Sequence, residues 1–242
     1  MAALLLGSAS AHAFPSFTDT TPGNLTNGAI SDAIRTVGIG ADHRPYQSAN
    51  PLGLVIGLDV GIDVTAVAVP QSFKNAMSLA GNTDKVPDLV FAPRINLRKG
   101  LPWGIDVGTS FIGFDNARLF GIDVQYALLD DKLPANLAVR GSYNTAKLWY
   151  LKATTFAFDL VGSVKIPLIA EPYVGVGWQV GSGQVDIPAT QLASGVSGNQ
   201  SFSNTRFFVG LPISFTILHL TFEYGYSTAN ISTYGAKVSL AL

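Results

Sequence analysis

Residues 53–69 read Gly-Leu-Val-Ile-Gly-Leu-Asp-Val-Gly-Ile-Asp-Val-Thr-Ala-Val-Ala-Val. In an extended chain, side chains alternate faces. Leu54, Ile56, Leu58, Val60, Ile62 and Val64 therefore share one side, and Gly57, Asp59, Gly61, Asp63 and Thr65 share the other. A soluble antiparallel sheet also alternates, with its apolar side on a core. What differs here is the face opposite the apolar row, which is glycine and aspartate instead of a mixed solvent-facing set. Lipid on one side and a narrow polar interior on the other account for that pairing.

The same alternation recurs along the chain. Ten strands are predicted, near 53–69, 88–98, 103–112, 118–128, 136–143, 148–166, 173–181, 205–213, 218–226 and 232–242, and eight to twelve fit the pattern. The expected fold class is all-β: a transmembrane antiparallel up-and-down β-barrel over residues 53–242 behind a short N-terminal segment outside the barrel.

Charge placement checks this reading. By strand parity the inward positions hold Asp59, Asp63, Asp106, Asp123, Asp159 and Glu223 against Arg94, Arg98, Arg140, Lys165, Arg206 and Lys237, six acids facing six bases. Arg118 and Lys152 take the outward parity near predicted strand ends. A charge on the lipid face at mid-bilayer costs about 2–4 kcal/mol, whereas opposite charges in a lumen pair or stay hydrated. The plainest role for the twelve is internal ion pairing that holds the wall. The alternative is the lining of a narrow polar path.

Composition agrees. Only 13% of the 242 residues are charged, 48% are hydrophobic, and mean hydropathy is +0.31, against about a quarter charged in an average soluble domain. No apolar run approaches the roughly 18 residues of a membrane-spanning helix. High hydropathy without such a run suits dispersed, alternating apolar residues. A net charge of -1 gives no reason to expect nucleic acid as a partner. The absence of cysteine excludes disulfide and thiolate chemistry.

Ahead of the barrel, residues 1–13 look like the end of a secretory signal peptide, with Ala11-His12-Ala13 as its cleavage site. Asn27 to Val37 spaces Ile30, Ile34 and Val37 at helical intervals, with Asn27 as N-cap and Gly38 and Gly40 ending the helix. Arg35, Gly38, Gly40 and Ala41, followed by Asn50-Pro51-Leu52-Gly53-Leu54, resemble the R-x-x-G-x-G-A…N-P-x-G-L lead-in of the long-chain fatty-acid transporter (FadL-like) outer-membrane family. That resemblance, over some 20 residues, implies that residues 14–52, with Arg35, Asn50 and Pro51, plug or line the lumen. A periplasmic lead-in is the plainer reading of the segment and stands first.

With the first strand leaving the periplasm, the outer connections fall at 70–87, 113–117, 144–147, 182–204 and 227–231, and the inner ones at 99–102, 129–135, 167–172 and 214–217. Two long connections on one rim match a bacterial outer-membrane barrel with both ends periplasmic. Outward Trp103, Trp178, Tyr126, Tyr143, Tyr224, Tyr226 and Tyr234 suit interfacial girdles. The last strand, Tyr234 to Leu242, resembles the signal read by the barrel-assembly machinery, although Leu242 stands where an aromatic is usual. The expected partners are outer-membrane lipid and that machinery, and a monomer is expected.

Function is expected to be a narrow channel or transporter for small or hydrophobic solutes, or a closed scaffold whose long outer loops, 70–87 and 182–204, bind an external partner. Outer-membrane hydrolysis would need a histidine with acid or hydroxyl partners. After residue 13 only His43 and His219 remain, with Glu223 on the same predicted face as His219. A satisfied lumenal histidine is the simpler reading, so no enzyme, metal or cofactor is expected.

Overall fold

In the computed structural model every strand pairs antiparallel with its sequence neighbours, and the last closes on the first. The structure describes residues 27–53, 56–71, 74, 87–114, 117–129, 133–148, 151–166, 170–187 and 196–242. The predicted signal-peptide remnant lies outside them, as do most of 70–87 and the middle of 182–204. The strands are β1 (Leu58–Ala68), β2 (Leu89–Leu101), β3 (Ile105–Phe114), β4 (Ala117–Ala127), β5 (Ala135–Leu148), β6 (Leu151–Val164), β7 (Tyr173–Ile187), β8 (Val196–Phe215), β9 (Leu218–Ser227) and β10 (Ile231–Ala241). They form one closed ten-stranded barrel. Closure is made by β1 against β10, from Asp59 opposite Ala241 to Val67 opposite Thr233.

Face parity follows the sequence reading. Val60, Ile62 and Val64 are exposed on the barrel's outside while Asp59, Asp63 and Thr65 are buried within. The same holds on β2, where Phe91, Ile95 and Leu97 point out and Arg94, Asn96 and Arg98 point in. Ladders pair backbone groups between neighbouring strands all round the barrel, which is what hydrocarbon requires of a spanning β structure. With its apolar residues outside and its ionised ones inside, this is a transmembrane β-barrel. Among the described residues no helix is long and apolar enough to cross a membrane.

Several boundaries differ from the expectation. The first strand begins at Leu58, because Gly53 (φ 82°) and Gly57 (φ 52°) turn the preceding chain into it. A Cβ on Gly57 would run into the Gly53 carbonyl, so the close approach requires glycine there. The third strand begins at Ile105, after a 3-10 turn Pro102–Gly104 in which Trp103 (φ 65°) and Gly104 (φ 73°) are both left-handed.

The larger corrections lie on the rim away from the barrel's two ends, here the far rim. Residues 144–147 continue β5, and 182–187 and 196–204 continue β7 and β8, where loops are expected. A spanning strand needs only about 9–11 residues. β1, β4 and β10 have 11 each, while β5 and β6 have 14, β7 has 15 and β8 has 20. The barrel is thus taller on one side. Outside the bilayer, polar residues on both faces satisfy a hairpin as well as a loop.

The segment ahead of the barrel departs most from its first reading. Helix α1 (Asn27–Ala41) sits inside the barrel against β1, β2 and β4 to β8, and residues 42–53, the strap, run on through the lumen to β1. The described part of the segment thus lies within the barrel, not ahead of it as a lead-in. The helix also continues past Gly38 and Gly40, which do not end it. Both permit close approach: a side chain on Gly38 would strike the Phe202 ring, and one on Gly40 would crowd Val67.

Candidate functional site

Among the described residues the lumen is the enclosed polar region that the sequence organises, and the strap fills it. Its residues Asp42, His43, Arg44, Tyr46, Ser48 and Ala49 are all buried. Asp42 forms a salt bridge with Arg206 of β8, and its carboxylate accepts hydrogen bonds from Asn144 (3.1 Å) and Ser142 (3.4 Å) of β5. Arg206 also donates to both oxygens of Asp159, at 3.0 and 2.6 Å. His43 Nε2 pairs with Asp123 at 2.6 Å, and Arg98 holds the other oxygen of that carboxylate at 2.6 Å. Arg44 donates to Thr233 at 2.5 Å and lies 3.5 Å from Glu223, whose other oxygen accepts from the Tyr173 hydroxyl at 2.6 Å.

Wall cations also hold the strap by its backbone. Arg94 donates to the carbonyls of Gly40 and Asp42, Arg140 to that of Gln47 (3.0 Å) and Lys237 to that of Pro45 (3.2 Å). Lys237 is also paired with Asp59 at 2.7 Å. In the other direction, the Leu52 amide donates to Asp106 at 3.1 Å. A strap of irregular backbone must satisfy its N–H and C=O groups somewhere, and the wall supplies the partners. Asp42 and Arg44 add one charge of each sign, so the balance of the wall is preserved.

Most of the predicted lumenal charges converge on this segment. Asp42, His43, Arg44 or the strap backbone contacts Arg94, Arg206, Asp123, Glu223, Arg140, Asp106 and Lys237. Asp63 accepts from Asn96 (3.2 Å) within the wall. Lys165 lies just past β6, partly exposed near the terminal rim. Of the residues predicted for a plug, Arg35 lies on α1 with its Nε buried and without a hydrogen-bond partner, and Asn50 and Pro51 are half-buried in the strap. The anchoring is done by Asp42 to Ser48, of which the sequence reading named only His43. The signal was present in Asp42-His43-Arg44-Pro45-Tyr46, a dense polar run beside an otherwise apolar chain.

Burial holds the His43 imidazole below its ordinary pKa even though Asp123 pulls the other way. The same cause raises the Tyr46 phenol, which pairs with Thr65. His219 and Glu223, on one predicted face, form no ion pair, and Glu223 is taken by Tyr173 and Arg44. Among the described residues no group of three or more His, Cys, Asp or Glu is placed to hold a metal ion.

Inward glycines shape the rest of the lumen. Gly210 lies beneath the Tyr173 ring, Gly175 beneath Phe208, Gly181 beneath Phe202 and Gly235 beneath Tyr46, each where a Cβ would collide. They let aromatic rings lie flat on the wall. The space beside them is therefore occupied. A crevice lined by Ile39, Arg44, Arg206 and Phe208 is too narrow for water.

No family model matches this chain, and no curated protein matches it. Solved structures do. The N-terminal β-barrel domain of Pseudomonas aeruginosa OprF is 14% identical, with 75% of this chain and 96% of that one covered and a TM-score of 0.36. Ail, the attachment invasion locus protein of Yersinia pestis, is 12% identical over 75% and 93% with a TM-score of 0.33. The KdgM porin, solved with disordered oligogalacturonate, is 7% identical over 75% and 99% with a TM-score of 0.36.

Proposed function

We propose that this chain is a bacterial outer-membrane barrel, closed by its own N-terminal segment, that passes small polar solutes when the segment is displaced. The observation behind this reading is the chemistry of the plug contact. The strap meets the wall through carboxylates, guanidinium groups and carbonyls, not through a dry apolar interface. Asp106, Asp123, Glu223, Arg140, Arg206 and Lys237 would line a balanced, hydrated path once it moves. That lining favours small polar cargo over hydrophobic solutes. The far rim, which bears the long β1–β2 connection and the β7–β8 hairpin, faces outward, and both barrel ends face the periplasm. Assembly machinery reads β10, and the barrel works as a monomer.

Planar-bilayer conductance tests the reading. The refolded full chain should conduct little, and R94Q/R140Q, which frees strap carbonyls, should conduct in bursts. Deletion of residues 27–52 should open it further, with thermal melting used to check that the barrel persists. A persistent barrel that stays sealed in both variants would leave a closed scaffold as the function.

A further inference from the structure

The outer surface of β4 to β8 carries a pattern that the lumen does not explain. In the strand ladder Arg118 lies directly opposite Lys147, and Lys147 directly opposite Lys152. The row continues through Gln184 of β7 and Asn199 of β8. All five side chains are exposed. One outward position closer to the membrane the same strands place Phe120, Thr145, Thr154, Ser182 and Ser201 side by side. One further in, the surface turns apolar with Ile122, Tyr143, Phe156 and Val180. The cations thus stand just above the hydrocarbon, where lipid headgroups lie.

Neighbouring strands are about 4.8 Å apart, so the three cations span roughly 10 Å. Like charges directly opposite each other repel. Most of the barrel's inward cations have a carboxylate or carbonyl partner, but among the described residues none of these three forms an ion pair. Asp186, a described acid outward on β7 two residues beyond Gln184, pairs with none of them. Lys99, an outward cation at the opposite rim, donates to the Ile56 carbonyl. Among the described residues no carboxylate relieves the repulsion in the row. Beside Lys152 a groove of about 410 Å³ is lined by Thr154, Ser182, Gln184, Asn199 and Ser201, which offer amides and hydroxyls but no further charge. The volume falls in the range of about 300–1,000 Å³ typical of small-ligand sites.

We propose that this row and groove form a headgroup site for a phosphorylated glycolipid of the leaflet at the far rim. Phosphate oxygens meet Arg118, Lys147 and Lys152, and sugar hydroxyls meet Gln184, Asn199 and the serines. A phospholipid would answer the cations and leave the groove unused. The choice of leaflet rests on the outward placement of the far rim proposed above, but the binding itself does not.

The test uses the full chain in neutral detergent micelles, titrated with bisphosphorylated lipid A and followed by native mass spectrometry and thermal melting. The lipid should bind and raise the melting temperature. Its dephosphorylated form, phosphatidylglycerol and inorganic phosphate should each bind on the order of tenfold more weakly or worse. At about 1 kcal/mol for each cation near an anionic surface, R118Q/K147Q/K152Q should weaken binding on the order of a hundredfold. R118K/K147R/K152R should retain binding, and K99Q should leave it unchanged. Without lipid the triple glutamine variant should melt at or above the parent, because its repulsion is gone. Parental affinity in that variant, equal binding of phosphatidylglycerol, or a lower lipid-free melting temperature would each overturn the proposal. Placement is tested apart from binding. Gln184→Cys, in a chain without cysteine, should react with an impermeant maleimide on intact cells, and a failure there sinks the orientation alone.

Discussion

The two halves of the plug are held by opposite kinds of force. Helix α1 presents Ile34, Val37 and Ala41 to Val69, Ala92, Leu119, Ala146, Leu151, Ala153 and Phe202 near the far rim, an apolar contact. The strap below it is held by buried ion pairs and hydrogen bonds. Apolar packing is non-directional and tolerates small slips. A buried charge pair does not, because separating it leaves both partners desolvated. The helix is therefore the compliant half and the strap the locked half. The wall reflects this division, since the strands that outrun the bilayer, β5 to β8, are among those α1 leans on.

The contrast is broken most severely at its centre. Asp42→Asn removes the carboxylate shared by Arg206, Asn144 and Ser142, and losing one partner of a buried pair costs about 3–5 kcal/mol. The urea midpoint of the refolded protein in micelles should fall accordingly. A fall below about 1 kcal/mol would mean that the strap carries little of the stability. Gly38→Val pushes a side chain into the Phe202 ring. Overpacking of that kind costs about 1–3 kcal/mol, and it should loosen α1 while leaving the strap in place, seen as faster proteolysis near residue 38 without a change at 42–52. Tyr46→Phe removes the hydroxyl paired with Thr65 and should cost about 0.5–1.5 kcal/mol, the net worth of one hydrogen bond.

The barrel was legible because parity is local. Two adjacent residues, such as Val60 and Gly61, already declare which face is which, and Asp59 and Asp63 on one parity exclude lipid from that side. Strand length was not legible where both faces are polar. Ser182-Gly183-Gln184 and Asn199-Gln200-Ser201 read as loop because the apolar face has ended, yet their backbone continues the ladder. The plug was only half legible. A helix was visible from Ile30, Ile34 and Val37, but Gly38 and Gly40 look like a stop until Phe202 and Val67 are known to lie against them. The partners of Asp42 and His43 lie about 80 to 100 residues away or more, and no local pattern in a single sequence encodes those pairings.

The weakest perturbation separates the two halves by titration. Among the described residues only the strap contains a buried histidine, His43, and its folded pKa lies below the ordinary imidazole value of 6.5. The unfolded chain therefore binds the proton more readily than the folded one. Stability is fully present above about pH 6.5 and declines as pH falls through that value. Asp123, 2.6 Å away, limits the loss by stabilising whatever imidazolium forms. His43→Gln keeps an N–H donor for Asp123 and cannot titrate, so its urea midpoint should fall less steeply between pH 7 and pH 5 than that of the parent. Parallel slopes would place the acid sensitivity elsewhere in the wall. A shallower slope for the glutamine variant would make the strap the half that acid loosens first, with the apolar contacts of α1 unaffected over the same range.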